Sequence, residues 1–155
     1  NNIGVFYPLQ SFSKSRPISF KDIPILIEGD NRYTRQVLTQ IAKKLSNSVQ
    51  EASSKQRLMI HLAAIFASNF TNAMLSNAKD LMKAANMDFE LLAPLVLETM
   101  EKSFELGPDE AQTGPASRGD LEVLDRHLEI LASIADKQEL YRLVSQNILD
   151  RKDGE

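Results

Sequence analysis

The sequence has no cysteine and only two histidines, His61 and His127. Without cysteine there are no disulfides, no thiolate catalysis and no cysteine-ligated zinc. Two histidines leave no multi-histidine metal site to expect. Charge of one sign is also scarce: 18 Lys+Arg against 21 Asp+Glu give a net charge of -3. A mildly acidic chain without a basic block is a poor ligand for nucleic acid or an anionic membrane. No window of about 18 uninterrupted apolar residues occurs, so no transmembrane helix is expected. The opening Asn1-Asn2-Ile3 contains neither Met nor a basic-then-apolar leader. It predicts no signal peptide and has the look of a piece cut from a longer chain. What is present is 155 residues, 43% of them apolar, enough for a domain-sized core. Composition therefore points to a soluble, cytoplasmic domain and names no activity.

The chain changes its period near Ser53. Before that point, short β-prone runs are broken by turn formers. Ile3 to Tyr7 is stopped by Pro8, and Ile23 to Ile27 is closed by Glu28-Gly29-Asp30. Pro24 lacks an N–H and belongs at a strand's start or on an edge. Asp30 or Asn31 caps a helix with Val37, Leu38, Ile41, Ala42 and Leu45 at helical spacing. Ser48 to Ala52 reads as a third strand. This is the tail of an α/β sheet without its beginning, because three short strands and one helix cannot cover both faces of a parallel sheet.

From Ser53 to about Ala85 there is no Gly or Pro, which predicts a helix of roughly 30 residues, far above the average of about 11–12. Its centre is apolar at nearly every angle, which predicts burial all round. Asp88 caps a further helix to about Leu106, with Leu91, Leu92, Leu95, Val96, Met100 and Phe104 as its inner stripe. Pro94 predicts a kink or a later start. A loop over 107–119 and two shorter helices, about 120–135 and 136–150, complete the chain, with 151–155 frayed.

Three features carry candidate chemistry. On the long helix, Ser54, Arg57, His61, Ser68, Asn69, Asn72 and Ser76 fall on one stripe at 100° per residue, opposite Met59, Phe66, Phe70 and Met74. Between His61 and Ser76 the stripe holds no Lys or Glu. Short uncharged hydrogen-bonding groups suit either a semi-buried ligand or a tight helix crossing. In the loop, Arg118-Gly119-Asp120 is a weak adhesion signal. Gly114-Pro115 makes a turn there and Asp120 caps the next helix, while Arg118 can hold an anionic group. After the first strand, Pro8, Gln10 and Ser11 suit the ligand-binding rim beyond a strand's carboxyl end, or a plain surface loop. A P-loop, GxGxxG and GxSxG are all missing.

Three segments together carry a resemblance. They are Gly4-Val5-Phe6-Tyr7-Pro8-Leu9-Gln10-Ser11-Phe12-Ser13, then His61-Leu62-Ala63-Ala64 with Phe66-Ala67-Ser68-Asn69-Phe70, then Gly114-Pro115-Ala116-Ser117-Arg118-Gly119-Asp120. In this order they resemble the C-terminal part of Rossmann-like oxidoreductases ending in the "domain of unknown function 2520". That family is related to the 6-phosphogluconate dehydrogenase, ketopantoate reductase and pyrroline-5-carboxylate reductase group. The resemblance implies a mainly α fold. The long central helix belongs to a 6-phosphogluconate dehydrogenase C-terminal-like domain, over 53–155. The last strands and helix of a Rossmann-like α/β sheet precede it, over 1–52. It implies NADP or NAD, bound mainly upstream, with Pro8, Gln10 and Ser11 as this chain's own cofactor contacts. It also implies a homodimer and a small-molecule substrate against the long helix. The group's helix lysine has no match here, since Lys55 and Lys79 lie at the ends; His61 occupies the comparable stretch. The expected enzyme is an NAD(P)-dependent oxidoreductase with His61 as proton donor and Ser68, Asn69, Asn72 and Arg118 as substrate contacts. The rival reading is a non-catalytic helical interaction or dimerisation domain.

Overall fold

Ile25, Leu26 and Ile27 are each buried, so the strand that carries them is covered on both faces. An apolar run of this kind belongs at the centre of a sheet. The computed structural model, which describes residues 2–153, places it there. Strand β1 (Gly4–Pro8) pairs antiparallel with β2 (Ile25–Gly29), from Gly4 opposite Gly29 to Pro8 opposite Ile25. Strand β3 (Val49–Glu51) pairs parallel with β2 on its other side. The parallel pair needs a crossover, and α1 (Arg32–Leu45) supplies it. Pro24 stands just before β2, where its carbonyl accepts from the Leu9 N–H at 2.8 Å.

Helix α1 starts where Asn31 accepts a hydrogen bond from the Thr34 N–H at 2.9 Å. Of the two candidate caps, Asn31 takes the position, and Asp30 accepts from the Thr34 hydroxyl at 3.0 Å. The core joins Ile25, Ile27 and Ala42, with Phe6, Phe20, Leu38 and Val49 packed against it. Ile41 and Leu45 lie outside it, each nearly half exposed. The helical spacing includes them, and α1 turns its Leu38 and Ala42 side to the sheet.

The chain separates into two compact units, Asn1–Asn72 and Ala73–Glu155. The first ends in α2 (Ser54–Ala64) and a π-helical stretch, Ile65–Phe70. Helix α3 (Thr71–Ala84) begins in the last two residues of the first unit and runs into the second. These three stretches form one helical run of 31 residues, Ser54–Ala84, as long as the sequence predicts. By length and composition it is long and apolar enough to cross a membrane. The expected burial all round is not observed. Leu58, Met59, Leu62, Phe66 and Phe70 are exposed, Phe66 at 69%, because no element of the first unit covers their faces among the described residues.

In the second unit, a 3₁₀ turn at Phe89–Leu92 precedes α4 (Ala93–Glu105). Pro94 thus falls in the first turn of α4, where its missing N–H costs nothing. The later start resolves the choice between start and kink. The expected inner stripe of this helix is mostly outward. Leu91, Leu95, Met100 and Phe104 are exposed, Phe104 at 91%, while Leu92 and Val96 are half-buried. Among the described residues of the second unit, no element packs over this stripe. The predicted loop contains a single helical turn, α5 (Pro115–Arg118), closed by Gly119 at a φ of 71°. Asp120 then caps α6 (Leu121–Ile130), accepting from the Val123 N–H at 3.3 Å. A 3₁₀ turn at Leu131–Ser133 leads into α7 (Ala135–Asp153). The expected fraying from 151 does not occur through 153, because α7 continues that far; 154 and 155 lie outside the described residues. Ala116, Leu124 and Leu131 are the buried apolar residues that α5, α6 and the 3₁₀ turn contribute.

Gly4 marks the tightest approach of β1 to its neighbours. A Cβ there would stand 2.6 Å from Leu38 Cδ1 and 2.7 Å from the Glu28 carbonyl oxygen. Gly4→Ala should destabilise the protein by about 1–3 kcal/mol in urea unfolding, the cost of overpacking. Ile3→Ala, at an exposed neighbour, should change it by no more than about 0.5 kcal/mol. Equal effects at the two positions would contradict the packing of β1.

Candidate functional site

The long helix is fixed at its start. Ser53 and Gln56 form a capping box: the Ser53 oxygen accepts from the Gln56 N–H, and the Gln56 side chain accepts from the Ser53 N–H. One turn on, Arg57 Nη1 donates to Glu28 Oε2 at 2.6 Å and to the Ala52 carbonyl at 2.6 Å. The Ser54 hydroxyl donates to the same Glu28 oxygen at 3.0 Å and accepts from Arg57 Nη2 at 3.0 Å. Glu28 sits on β2, so the helix start is tied to the central strand. The Arg57 hydrogen bond, helped by Ser54, holds the Glu28 carboxyl below the ordinary glutamate range.

One further turn brings His61 beside β1, where the Tyr7 hydroxyl lies 3.3 Å from His61 Nδ1. The chain leaves β1 through Leu9, Gln10 and Ser11, and Gln10 Oε1 accepts from the Ser11 N–H at 2.7 Å. Four residues after His61 the helix widens into the π stretch. A π turn closes i to i+5 and recurs at functional sites. It also breaks the regular 100° count, so Ser68 and Asn69 take positions that a wheel drawn from His61 does not give.

These groups meet at one open cavity of about 540 Å³. Tyr7, Gln10 and Ser11 line it from the β1 side, and His61, Ser68 and Asn69 from the helix. The remaining lining is Leu9, Ile60, Ala63, Ala64, Ile65 and Ala67, so no carboxylate, ammonium or guanidinium group faces it among the described residues. The middle of the helical run therefore lies against the irregular backbone of 9–11. A span exposed to lipid does not tolerate such backbone beside it.

Five residues singled out in the sequence thus converge: His61, Ser68, Asn69, Gln10 and Ser11. Three do not line this cavity. Pro8 ends β1 opposite Ile25, Asn72 follows on α3, and Arg118 belongs to α5 in the second unit, where it is exposed. The Arg-Gly-Asp string is there a helical turn, a left-handed glycine and a helix cap. Tyr7 was missed. Its partner lies 54 residues away, and no local pattern announces that contact.

The second histidine is occupied elsewhere. His127 Nδ1 lies 2.7 Å from the Tyr141 hydroxyl, with the rings edge to face. Tyr141 also borders an apolar cavity of about 270 Å³ in the second unit, lined by Leu81, Leu124, Leu131, Leu140 and Ile148 among others. Lys137 on its wall donates to Asn77 Oδ1 and Asp80 Oδ2, each at 2.8 Å, and the latter bond lowers the Asp80 pKa.

Residues 23–148 match the family described as Domain of unknown function (DUF2520). A Bacteroides fragilis protein named a "putative NADP oxidoreductase" superposes with a TM-score of 0.92 and is 46% identical, over 97% of this chain and 58% of its own. A Thermotoga maritima protein superposes with a TM-score of 0.78 at 24% identity, over 97% of this chain and 62% of its own, which shows the shared fold. No curated protein matches the chain. The chain belongs to the DUF2520 family and carries a mainly α fold after short Rossmann-like strands. It spans less than two thirds of either solved relative.

The Glu28–Arg57 pair makes a pH-dependent contribution of known sign. A carboxylate whose folded pKa is lowered stabilises fully above its unfolded value, about 4.3 for Glu. That stability is lost as the pH falls through the folded value. At neutral pH, Glu28→Gln should melt below the wild type, and the gap should close as the pH falls below about 4.3. Thermal unfolding at a series of pH values checks this; a gap that does not change with pH would contradict it.

Proposed function

We propose that this chain lines the substrate cleft of an NADP-dependent oxidoreductase and holds its dimer together. The observation that supports the first part is the convergence of Tyr7, Gln10, Ser11, His61, Ser68 and Asn69 on one cavity. The printed name of the Bacteroides relative supports NADP over NAD. The uncharged lining suits the nicotinamide end of the cofactor: Gln10 and Ser11 offer the amide and hydroxyl groups that a carboxamide pairs with. It offers no cation for the phosphates, and the chain has no glycine-rich fingerprint, so the rest of the dinucleotide belongs to another part of the protein. On this reading, residues 1–52 close a Rossmann-like domain and 53–155 form the helical one.

Bound nicotinamide supplies hydride chemistry at this cleft. His61 holds or delivers the proton that accompanies reduction of a small carbonyl or imine, or oxidation of the matching hydroxy compound or amine. An imidazole can both give and take a proton, so it suits either direction. Ser68 and Asn69 orient the substrate by hydrogen bonds. The apolar side chains of the helix wall exclude water beside the reacting centre.

The second part rests on exposed apolar surface. Leu58, Met59, Leu62 and Phe66 in the first unit, and Leu95, Leu97, Met100 and Phe104 in the second, are all exposed. Large apolar side chains left exposed in this number mark an interface. A symmetric homodimer is the commonest solution for a soluble oligomer.

Two measurements test the proposal. With NADPH and a panel of small aldehydes, ketones and imines, His61→Ala should lower kcat by about 10²–10⁴-fold at nearly unchanged cofactor affinity. Full turnover in folded His61→Ala would leave His61 structural, whereas a wild type that turns over none of the panel would favour the non-catalytic interaction domain. In sedimentation at micromolar concentration the protein should run as a dimer, and Phe66→Asp with Phe104→Asp should shift it to monomer. A wild-type monomer would overturn the dimer.

A further inference from the structure

We propose that Tyr7 is a positioning residue: its hydroxyl occupies Nδ1 of His61 and leaves Nε2 as the ring nitrogen that exchanges a proton with substrate. This rests on the reading of His61 as the acid–base group and adds to it the atom and the partner. Two observations carry it. The Tyr7 oxygen is 3.3 Å from His61 Nδ1, and both side chains line the same cavity. Both are also hung from one strand. Tyr7 pairs with Leu26 across β1 and β2, and the helix bearing His61 is tied through Arg57 and Ser54 to Glu28 on β2. Their separation is thus set by the sheet and not by two independent loops.

The phenol suits this place because of its chemistry. A neutral imidazole has one N–H donor and one bare acceptor nitrogen, and the imidazolium has two donors. A tyrosine hydroxyl both donates and accepts. It can donate to bare Nδ1 and accept from Nδ1–H, so the pair survives either state of the ring. In reduction of a carbonyl, a reduced nicotinamide bound here would supply the hydride to the substrate carbon. The C=O π pair moves onto oxygen, and that oxygen takes the Nε2 proton as the N–H bond breaks. The neutral ring keeps Nδ1–H, which donates to the Tyr7 oxygen. Oxidation of the alcohol runs the same transfers backwards. The role is that of an orienting partner on the far nitrogen of a catalytic imidazole, here filled by a neutral hydroxyl.

Nitrogen NMR of isotope-labelled histidine in the full protein tests this without a substrate, with His61→Gln identifying the His61 signals. In the wild type, His61 Nδ1 should resonate as a hydrogen-bonded nitrogen. In Tyr7→Phe, which keeps the ring and removes only the hydroxyl, Nδ1 should shift to the unbonded position. Nε2 should change less, and the signals of His127, paired with Tyr141, should stay in place. A wild-type Nδ1 without a hydrogen bond overturns the proposal before any variant is made. So does a folded Tyr7→Phe in which Nδ1 stays put or Nε2 moves instead. With NADPH and the carbonyl panel, Tyr7→Phe should lower kcat by about two- to tenfold at unchanged KM, the size of one modest hydrogen bond. The two readings fail separately. A shifted Nδ1 with full turnover in His61→Ala removes the catalytic role and leaves the pairing. An unmoved Nδ1 with lost turnover removes the pairing and leaves the catalytic role.

Discussion

One carboxylate connects the sheet to the helix on which the site is built. Glu28 stands on the strand whose neighbours Ile25 and Ile27 are the most deeply buried large side chains described. It receives the Arg57 guanidinium and the Ser54 hydroxyl from the first turn of α2. The pair is partly exposed, so its weight lies in geometry more than in net stability. It fixes where the helix begins and which way it faces. A turn later the same helix presents His61 to Tyr7 on β1. Were the helix start free to rotate, the remaining polar residues of the stripe would have no common target.

The π stretch is the second constraint. It inserts a wider turn between His61 and the residues that share its cavity. Such stretches are strained relative to a regular helix and persist where the surroundings favour them. Here the chain sets small side chains, Ala63, Ala64 and Ala67, along the cavity wall, while the bulky Phe66 and Phe70 pack edge to face away from it, 4.9 Å between ring centres. One helix thus serves a polar cavity on one side and offers an apolar surface on the other.

Much of this was legible in the sequence where the signal is local. The strands, the Asn31 and Asp120 caps, the length of the central helix and the short apolar runs followed from period, caps and breakers, which act within a few residues. The polar stripe was found because uncharged hydrogen-bonding residues recur on it without Lys or Glu. What escaped depends on distant partners or on backbone irregularity. Tyr7 gains its meaning only from His61, 54 residues on. The π stretch has no side-chain signature. Asn72 shared the stripe on an ideal wheel but does not line the cavity once the turn widens. Met59 and Phe104 face outward where periodicity predicts burial, because periodicity marks apolar surface to be covered and does not say by what.

The central claim is that the β1 exit and the middle of the long helix form a single ligand-facing wall. Amide hydrogen exchange of the whole protein, with and without saturating NADPH, measures this directly. Within this chain, slowed exchange should concentrate in residues 7–11 and 60–69. Protection that instead falls on 113–120 and 137–148, around the apolar cavity of the second unit, with none at Tyr7 to Ser11 or His61 to Asn69, would contradict the account.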